Sequence, residues 1–338
     1  MPERALIIAP SWVGDAVMSQ VLLMRLKKAH KDLRIDVLAP RAVAQLYTRM
    51  AQVDEVFECH FAHGELDLKG RYHWGERLRA NNYDAAFVLP NSFKSALVPW
   101  FARIPLRVGY TGEARFVLLN HRFFLDEIAL PKMAERFFHL GEAFNKRGAH
   151  FDVPMDFPHL TAHDPAPLLK KFSLNMPPAG VVIFCPGAEF GPAKRWPAEY
   201  FAELAKRLLP LNLAIWMIGT NKDAQAARII TEIAPNAVNL CGKTELIDAI
   251  DLIAIARAVV CNDSGLMHVA SALNRPLVAI YGSSSPDFTP PLNNKAKIIR
   301  LNLACSPCFK RKCPLQHLNC LQQITPEQIF KTLQKMLH

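Results

Sequence analysis

The sequence predicts an α/β protein built from two Rossmann-like, doubly wound domains. Short apolar runs alternate with amphipathic stretches along the chain, a pattern typical of parallel sheets covered by helices. The 338 residues exceed the usual size of a single domain. A proline-rich stretch at 151–179 separates two halves that show the same strand–helix order. We therefore expect domains at residues 1–168 and 169–338.

The first half opens with a strand at 4–9, followed by a loop and a helix at 16–30. Further strands are predicted at 34–39, 55–58, 83–89 and 107–110, with helices at 42–50, 72–80 and 133–147. This βαβαβ order predicts a parallel sheet.

The second half repeats the pattern. Strands are predicted at 180–184, 213–218, 238–240, 257–261 and 277–281, with helices at 196–209, 224–233, 244–255 and 266–273. A last helix at 326–338 is expected to pack back on the first domain. Two domains of this kind are expected to face each other across a cleft.

The stretch 259–291 carries the clearest functional pattern. Asn262, Asp263, Ser264 and Gly265 form a turn between a buried strand and a helix, and the amino end of such a helix binds phosphate. His268 lies one helical turn later on the same face. The Asp263 carboxylate can accept hydrogen bonds from sugar hydroxyls, whereas the helix amides and His268 suit phosphate. Together these residues suit a nucleotide diphosphate-sugar. The alternative is an ordinary capped turn with a packed histidine.

Three other positions are candidates for chemistry. Asp15 follows the first strand, where a carboxylate can act as a general base or simply stabilise a helix amino terminus. Lys194 and Arg195 precede a helix start, which is an unfavourable place for cations unless they bind an anion; solvated surface cations are the alternative. The glycine-bearing loop from Gly187 belongs to the same predicted site.

Several weaker candidates line other strand ends. Thr220 could line a nucleoside pocket, although a plain capped turn is the favoured interpretation from the residues alone. Ser92, Lys94 and Arg107 belong to the first half and are predicted to bind an anionic acceptor, with ordinary surface roles as the alternative. The loop after the first strand lacks the GxGxxG fingerprint, which argues against a dinucleotide-dependent dehydrogenase.

The composition points to an anionic partner. The net charge is +10, yet the basic residues are dispersed and match no nucleic-acid module, so nucleic acid is not expected as a partner. No apolar run approaches the roughly 20 residues of a membrane span, and the amino terminus does not resemble a signal peptide. We expect a cytoplasmic protein, peripheral at an anionic membrane surface.

Four of the eight cysteines form a group with C-x2-C-x4-C-x6-C spacing: Cys305, Cys308, Cys313 and Cys320. A tetrahedral zinc site is one interpretation of this group. A reduced, locally packed cysteine loop is the favoured one, so neither a metal nor a cofactor is predicted.

Four segments resemble the heptosyltransferase family of inverting, metal-independent GT-B glycosyltransferases. They are APSWVGDAVMSQ, LPNSFKSALVPWF, FCPGAEFGPAKRWP and NDSGLMHVASALNRPLVAIYGSSSPDFTPP. The resemblance implies transfer of L-glycero-D-manno-heptose from ADP-heptose to the first heptose of the lipopolysaccharide inner core, carried on Kdo-lipid A. It also implies a location at the inner face of the inner membrane.

The resemblance also implies roles for individual residues. Asp15 matches the general base and Lys194 the lysine that neutralises donor phosphate. The implied donor-binding set is Gly187, Lys194, Thr220, Asp263, Ser264, Gly265, Met267 and His268. Ser92 and Lys94 lie in a segment typical of the subgroup that adds the second heptose. The alternatives are a heptosyltransferase acting at another core position and a non-catalytic nucleotide-binding protein.

Overall fold

The computed structural model describes residues 2–61, 64–144 and 154–337. The chain divides into two compact units, Met1–Pro158 and His159–His338. The boundary lies earlier than the 168/169 position expected from the proline content. The reason is that the intervening residues already bond to the second unit: the Leu160 amide donates to the Ala272 carbonyl (3.1 Å) and the His163 amide to the Asp251 carboxylate (2.7 Å).

The first unit contains one six-stranded sheet in the order β3-β2-β1-β4-β5-β6, with every described strand pair parallel. Its elements are β1 (Arg4–Ile8), α1 (Val13–Ala29), β2 (Arg34–Pro40), α2 (Arg41–Tyr47), β3 (Glu55–Cys59), α3 (Leu68–Arg79), β4 (Ala85–Val88), α4 (Leu97–Phe101), β5 (Leu106–Tyr110), β6 (His121–Phe123) and α5 (Met133–His139).

The second unit contains another six-stranded parallel sheet, in the order β12-β11-β10-β7-β8-β9. Its elements are α6 (Ala166–Lys171), β7 (Val181–Cys185), α7 (Ala198–Leu208), β8 (Ala214–Met217), α8 (Ala224–Ile233), β9 (Ala237–Asn239), α9 (Leu246–Ala254), β10 (Ala258–Asn262), α10 (Gly265–Ala272), β11 (Leu277–Ile280), β12 (Ala296–Ile299), α11 (Asn319–Gln322) and α12 (Pro326–Leu337).

Both sheets therefore have the same topology. In each unit the first strand lies between the second and the fourth, which is the point where the strand order reverses. The loops that leave the carboxyl ends of the first and fourth strands diverge to opposite faces of the sheet, so a crevice forms between them. The loops after β1 and β4 form one such edge, and the loops after β7 and β10 form the other.

The central strands of both sheets are buried on both faces, as expected where helices cover both sides of a sheet. β7 has the sequence VVIFC and all five residues are buried, as is typical of a central parallel strand. Helix α12 was expected to pack on the first domain, but the structure assigns its apolar face to the second unit. Ile329 and Leu333 are fully buried there in the core that includes Trp196 and Phe201.

Several elements were absent from the sequence prediction. The short strands β6 and β12 and the short helices α6 and α11 have too few residues to produce a clear period. The helix expected at 133–147 is α5 followed by a 3₁₀ turn, Leu140–Phe144; the remainder lies outside the described residues. Within the described ranges, none of the helices has the length and apolar character required to span a bilayer.

Candidate functional site

Asn262 fixes the loop that follows β7 against the end of β10. Its side-chain amide donates to the Pro186 carbonyl at 2.7 Å, and its oxygen accepts the Trp196 amide at 3.0 Å. The Asn262 side chain is fully buried. Because both ends of the 186–196 loop bond to one buried side chain, the loop is held at the carboxyl edge of the sheet where the strand order reverses.

The central feature of this edge is a charged group formed by three strand-end loops. The Lys194 ammonium forms an ion pair with Asp263, and the Ser284 hydroxyl donates to the same carboxylate oxygen. We call Lys194, Asp263 and Ser284 the Lys194 cluster. Asp263 is only 4% exposed, so its charge depends on these two partners.

Lys194 keeps limited access to solvent. Its side chain is 16% exposed, and its ammonium also lies 4.9 Å from the centroid of the Phe190 ring. Neighbouring Arg195 lies 3.9 Å from the Asp223 carboxylate. The structure thus excludes a freely solvated Lys194: a carboxylate and an aromatic face hold its charge at the edge of the sheet.

Helix α10 begins next to the Lys194 cluster. Ser264 is its N-cap residue in extended conformation, and its side chain makes no capping hydrogen bond. Ser264 and Gly265 are half-buried, so the first turn of the helix is accessible. The amides of a first helical turn and the helix dipole favour an anion at this position.

His268 lies on the same helix but is 5% exposed. Burial lowers the pKa of His268 to about 4; the Asp263 carboxylate opposes this shift and the Lys194 ammonium adds to it. The imidazole is therefore neutral near pH 7, with one nitrogen available as a donor and the other as an acceptor.

The remaining donor-site candidates differ in exposure. A Cβ atom at Gly187 would lie 2.4 Å from the Asp223 carboxylate, so a larger residue there would displace that side chain. Thr220 is exposed, and both its amide (2.8 Å) and its hydroxyl (2.9 Å) donate to Asp223. Met267 is fully buried, with its sulfur 3.3 Å from the Tyr281 hydroxyl. Thr220 thus acts as a cap, and Met267 is a core residue.

In the first unit, Asp15 lies in the first turn of α1, just after the loop that leaves β1. Its side chain is half-buried and interacts with neighbouring groups. One nearby group is Tyr47, whose hydroxyl lies 2.9 Å from the Ser19 hydroxyl. Burial raises the pKa of Tyr47 well above its ordinary value, and the Asp15 charge contributes to the increase. Asp15 therefore occupies the carboxyl edge, as predicted.

The loop after β4 carries Ser92 and Lys94 at the same edge of that sheet. Buried Arg115 organises this loop: its guanidinium donates to the carbonyls of Pro90 (2.6 Å) and Tyr110 (2.6 Å) and to the Asn91 side chain. Burial lowers the pKa of Arg115 to about 10, and the negative charge of Glu113 opposes this shift. Arg115 thus fixes the loops after β4 and β5.

Arg107 was predicted to bind an acceptor, and the structure contradicts this. It lies at the amino end of β5, the opposite edge of the sheet from Ser92 and Lys94. Its guanidinium donates to the carbonyls of Ile104 (2.5 Å) and Leu118 (2.7 Å). Arg107 ties together the chain before β5 and the chain before β6, which is a structural role.

The sequence did not show that Asn262, Ser284 and Arg115 organise these edges. Ser284 follows β11 within a run of three serines, Ser283–Ser285, for which the sequence analysis predicted no role. The polar run directly after a buried strand is the sequence pattern that could have indicated a role for Ser284. Arg115 was predicted only as one of several basic residues that could bind an anionic acceptor or lie at the surface; its burial depends on how three loops meet.

The family model "Glycosyltransferase family 9 (heptosyltransferase)" matches residues 71–319. Lipopolysaccharide heptosyltransferase 2 of Escherichia coli K12 is 43% identical, over 99% of this chain and 98% of its own length. Lipooligosaccharide heptosyltransferase 2 of Haemophilus influenzae is 45% identical, over 98% and 99% respectively.

A solved structure agrees with the fold described above. The structure of E. coli ADP-heptose lps heptosyltransferase II superposes with a TM-score of 0.87 at 42% identity, covering 99% of this chain and 98% of that chain. The agreement over the full length supports the assignment of two doubly wound units, the architecture known as GT-B.

Proposed function

This chain belongs to glycosyltransferase family 9, the heptosyltransferases, and we propose that it transfers L-glycero-D-manno-heptose from ADP-heptose to the first heptose of the lipopolysaccharide inner core. The acceptor is then Kdo-lipid A that carries one heptose. The transfer proceeds with inversion at the anomeric carbon.

The observation that carries this proposal is the Lys194 cluster beside the amino end of α10. The two features together provide an ammonium and a set of backbone amides at the switch point of the second sheet. Such a combination suits a diphosphate, because both the cation and the helix dipole stabilise negative charge. We assign the ADP portion of the donor to this edge.

The leaving group determines what the cluster contributes to the reaction. When the bond from the anomeric carbon to the diphosphate breaks, negative charge grows on the departing ADP. Lys194 and the α10 amides stabilise that charge more strongly in the transition state than in the ground state, which lowers the barrier. Neutral His268 contributes a hydrogen bond and no positive charge. Asp263 keeps the ammonium in position.

The acceptor hydroxyl must lose a proton as it attacks. We assign this proton transfer to Asp15, a carboxylate at the carboxyl edge of the first sheet. Ser92 and Lys94, on the neighbouring loop, are assigned to acceptor binding, and a cation at Lys94 suits a phosphorylated lipid. The net charge of +10 favours peripheral binding to the anionic inner face of the inner membrane.

A transfer assay with defined substrates tests the function. ADP-heptose is incubated with Kdo-lipid A acceptors that carry no heptose, one heptose or two heptoses, and the product is identified by mass and by the anomeric NMR coupling. We expect transfer only to the acceptor with one heptose. Preferred transfer to another acceptor would reassign the core position. ADP binding without transfer to any acceptor would indicate a nucleotide-binding protein.

A further inference from the structure

A small cavity in the second unit is lined by all four grouped cysteines: Cys305, Cys308, Cys313 and Cys320. Its volume is about 20 Å³, enough for one water-sized occupant or a single ion but too little for an organic ligand. Three of the cysteines lie in the irregular chain between β12 and α11 and the fourth lies in α11, and all are free of disulfides. Four thiols around one atom-sized space is the donor set of a tetrahedral thiolate metal site.

A second feature of the cavity is an unsatisfied polar group. Ser283 also lines it, and the Ser283 hydroxyl is buried with no hydrogen-bond partner among the residues that the structure describes. A buried hydroxyl without a partner is costly. It would be satisfied by donating to a metal-bound thiolate, the kind of outer-shell contact that accompanies metal ligands.

We propose that Cys305, Cys308, Cys313 and Cys320 bind one Zn²⁺-type cation as a tetrathiolate site around this cavity. Among residues 2–61, 64–144 and 154–337, no three His, Cys, Asp or Glu side chains already form a metal-binding group. Binding therefore requires the four cysteine side chains to come closer together than they are in the structure. Three of them are half-exposed, which leaves room for this movement.

The proposed metal would stabilise the donor edge, an extension that depends on the proposed function. The segment 305–320 bonds directly to residues next to the Lys194 cluster. The Ala193 amide donates to the Arg311 carbonyl (3.1 Å), and the Phe309 amide donates to the Ser283 carbonyl (2.6 Å). Since Ala193 precedes Lys194 and Ser283 precedes Ser284, ordering of this segment would fix two members of the cluster.

Metal analysis of the full chain tests the site independently of any activity. The protein is purified under a non-chelating reductant, loaded with Zn²⁺, desalted and analysed for zinc by mass spectrometry. Cys308→Ser and Cys313→Ser are compared with Cys59→Ala, a buried cysteine of the first unit. Co²⁺ loading provides a second measurement, because tetrahedral thiolate coordination gives intense visible bands.

We expect about one zinc per chain in the wild type and in Cys59→Ala, and strong loss in the other two variants. Tetrahedral cobalt bands should follow the same pattern. A wild-type chain that retains neither Zn²⁺ nor Co²⁺, or zinc retained in full by both Cys308→Ser and Cys313→Ser, would overturn the site. Circular dichroism of each variant confirms that metal loss does not reflect unfolding.

The effect on the donor edge has its own measurement. ADP affinity is compared for the zinc-loaded and the chelated wild type, and we expect several-fold weaker binding without metal. Equal affinity in both states would reject the coupling and leave the metal site intact. Absence of ADP binding in either state would count against the proposed function and would not affect the zinc result.

Discussion

The two sheets share one strand order, yet their carboxyl edges differ in how charge is held. In the second unit, Lys194 and Asp263 form an ion pair whose carboxylate is almost fully buried. In the first unit, Asp15 is half-buried in a helical turn, and buried Arg115 bonds to neutral oxygens instead of a carboxylate.

This difference agrees with the role that we propose for each edge. A buried ion pair keeps a cation in a fixed position without leaving it exposed, which suits a site that must receive diphosphate charge. A half-buried carboxylate remains accessible to a substrate hydroxyl, which suits proton transfer. The same topology therefore supports two kinds of chemistry, and the side chains at the strand ends decide which one.

The largest expected effect is on Asp15. In Asp15→Asn, the amide cannot accept the acceptor proton, so we expect the transfer rate to fall by about 10²–10⁴-fold. ADP affinity and melting temperature should stay close to wild type. Steady-state kinetics and calorimetry measure these quantities, with exposed Asp32→Asn as the matched control. Wild-type turnover in Asp15→Asn would remove Asp15 from the mechanism.

Next in size is the loss of Lys194. Lys194→Ala removes a charge-assisted contact and leaves Asp263 without its cation, so ADP should bind about 10- to 100-fold more weakly. Adenosine, which has no phosphate, should be affected much less. Lys222→Ala is the control, because its pair with Glu189 is exposed and worth less than about 1 kcal/mol. Equal ADP affinity in the two variants would contradict the phosphate role.

The buried histidine gives a prediction about pH. The folded-state pKa of His268 is about 4, below the unfolded value of about 6.5. Between these values the unfolded chain binds more protons, so stability is lost as pH falls through this window, by up to about 3 kcal/mol. His268→Gln should reduce that slope in urea titrations, whereas exposed His73→Gln should not. An unchanged slope in His268→Gln would refute the neutral, buried imidazole.

The smallest effects distinguish the two edges of the first sheet. Lys94→Ala should raise the acceptor KM several-fold and leave ADP binding unchanged, because Lys94 lies at the carboxyl edge. Arg107→Ala should leave both unchanged and cost about 1–3 kcal/mol of stability, because two buried carbonyls lose a donor. A higher acceptor KM in Arg107→Ala, with no such change in Lys94→Ala, would reverse this assignment.

Much of the fold followed from local patterns. Ten of the twelve described strands and most helices were predicted within a few residues, because apolar periodicity and turn residues mark them directly. The unit boundary at 158/159 and the packing of α12 were not predicted correctly, because both depend on contacts between segments that are distant in sequence. The short strands β6 and β12 belong to sheet edges, where few residues carry the pattern.

By itself, the sequence determined the alternation of strands and helices and the motif around Asp263, including the helix that begins at Gly265. These features are local, so neighbouring residues encode them. Only the tertiary structure decided that Asp263 pairs with Lys194 and Ser284, that His268 is neutral, and that Arg107 lies at the wrong edge. Burial and charge pairing depend on strand order, which joins residues far apart in the chain.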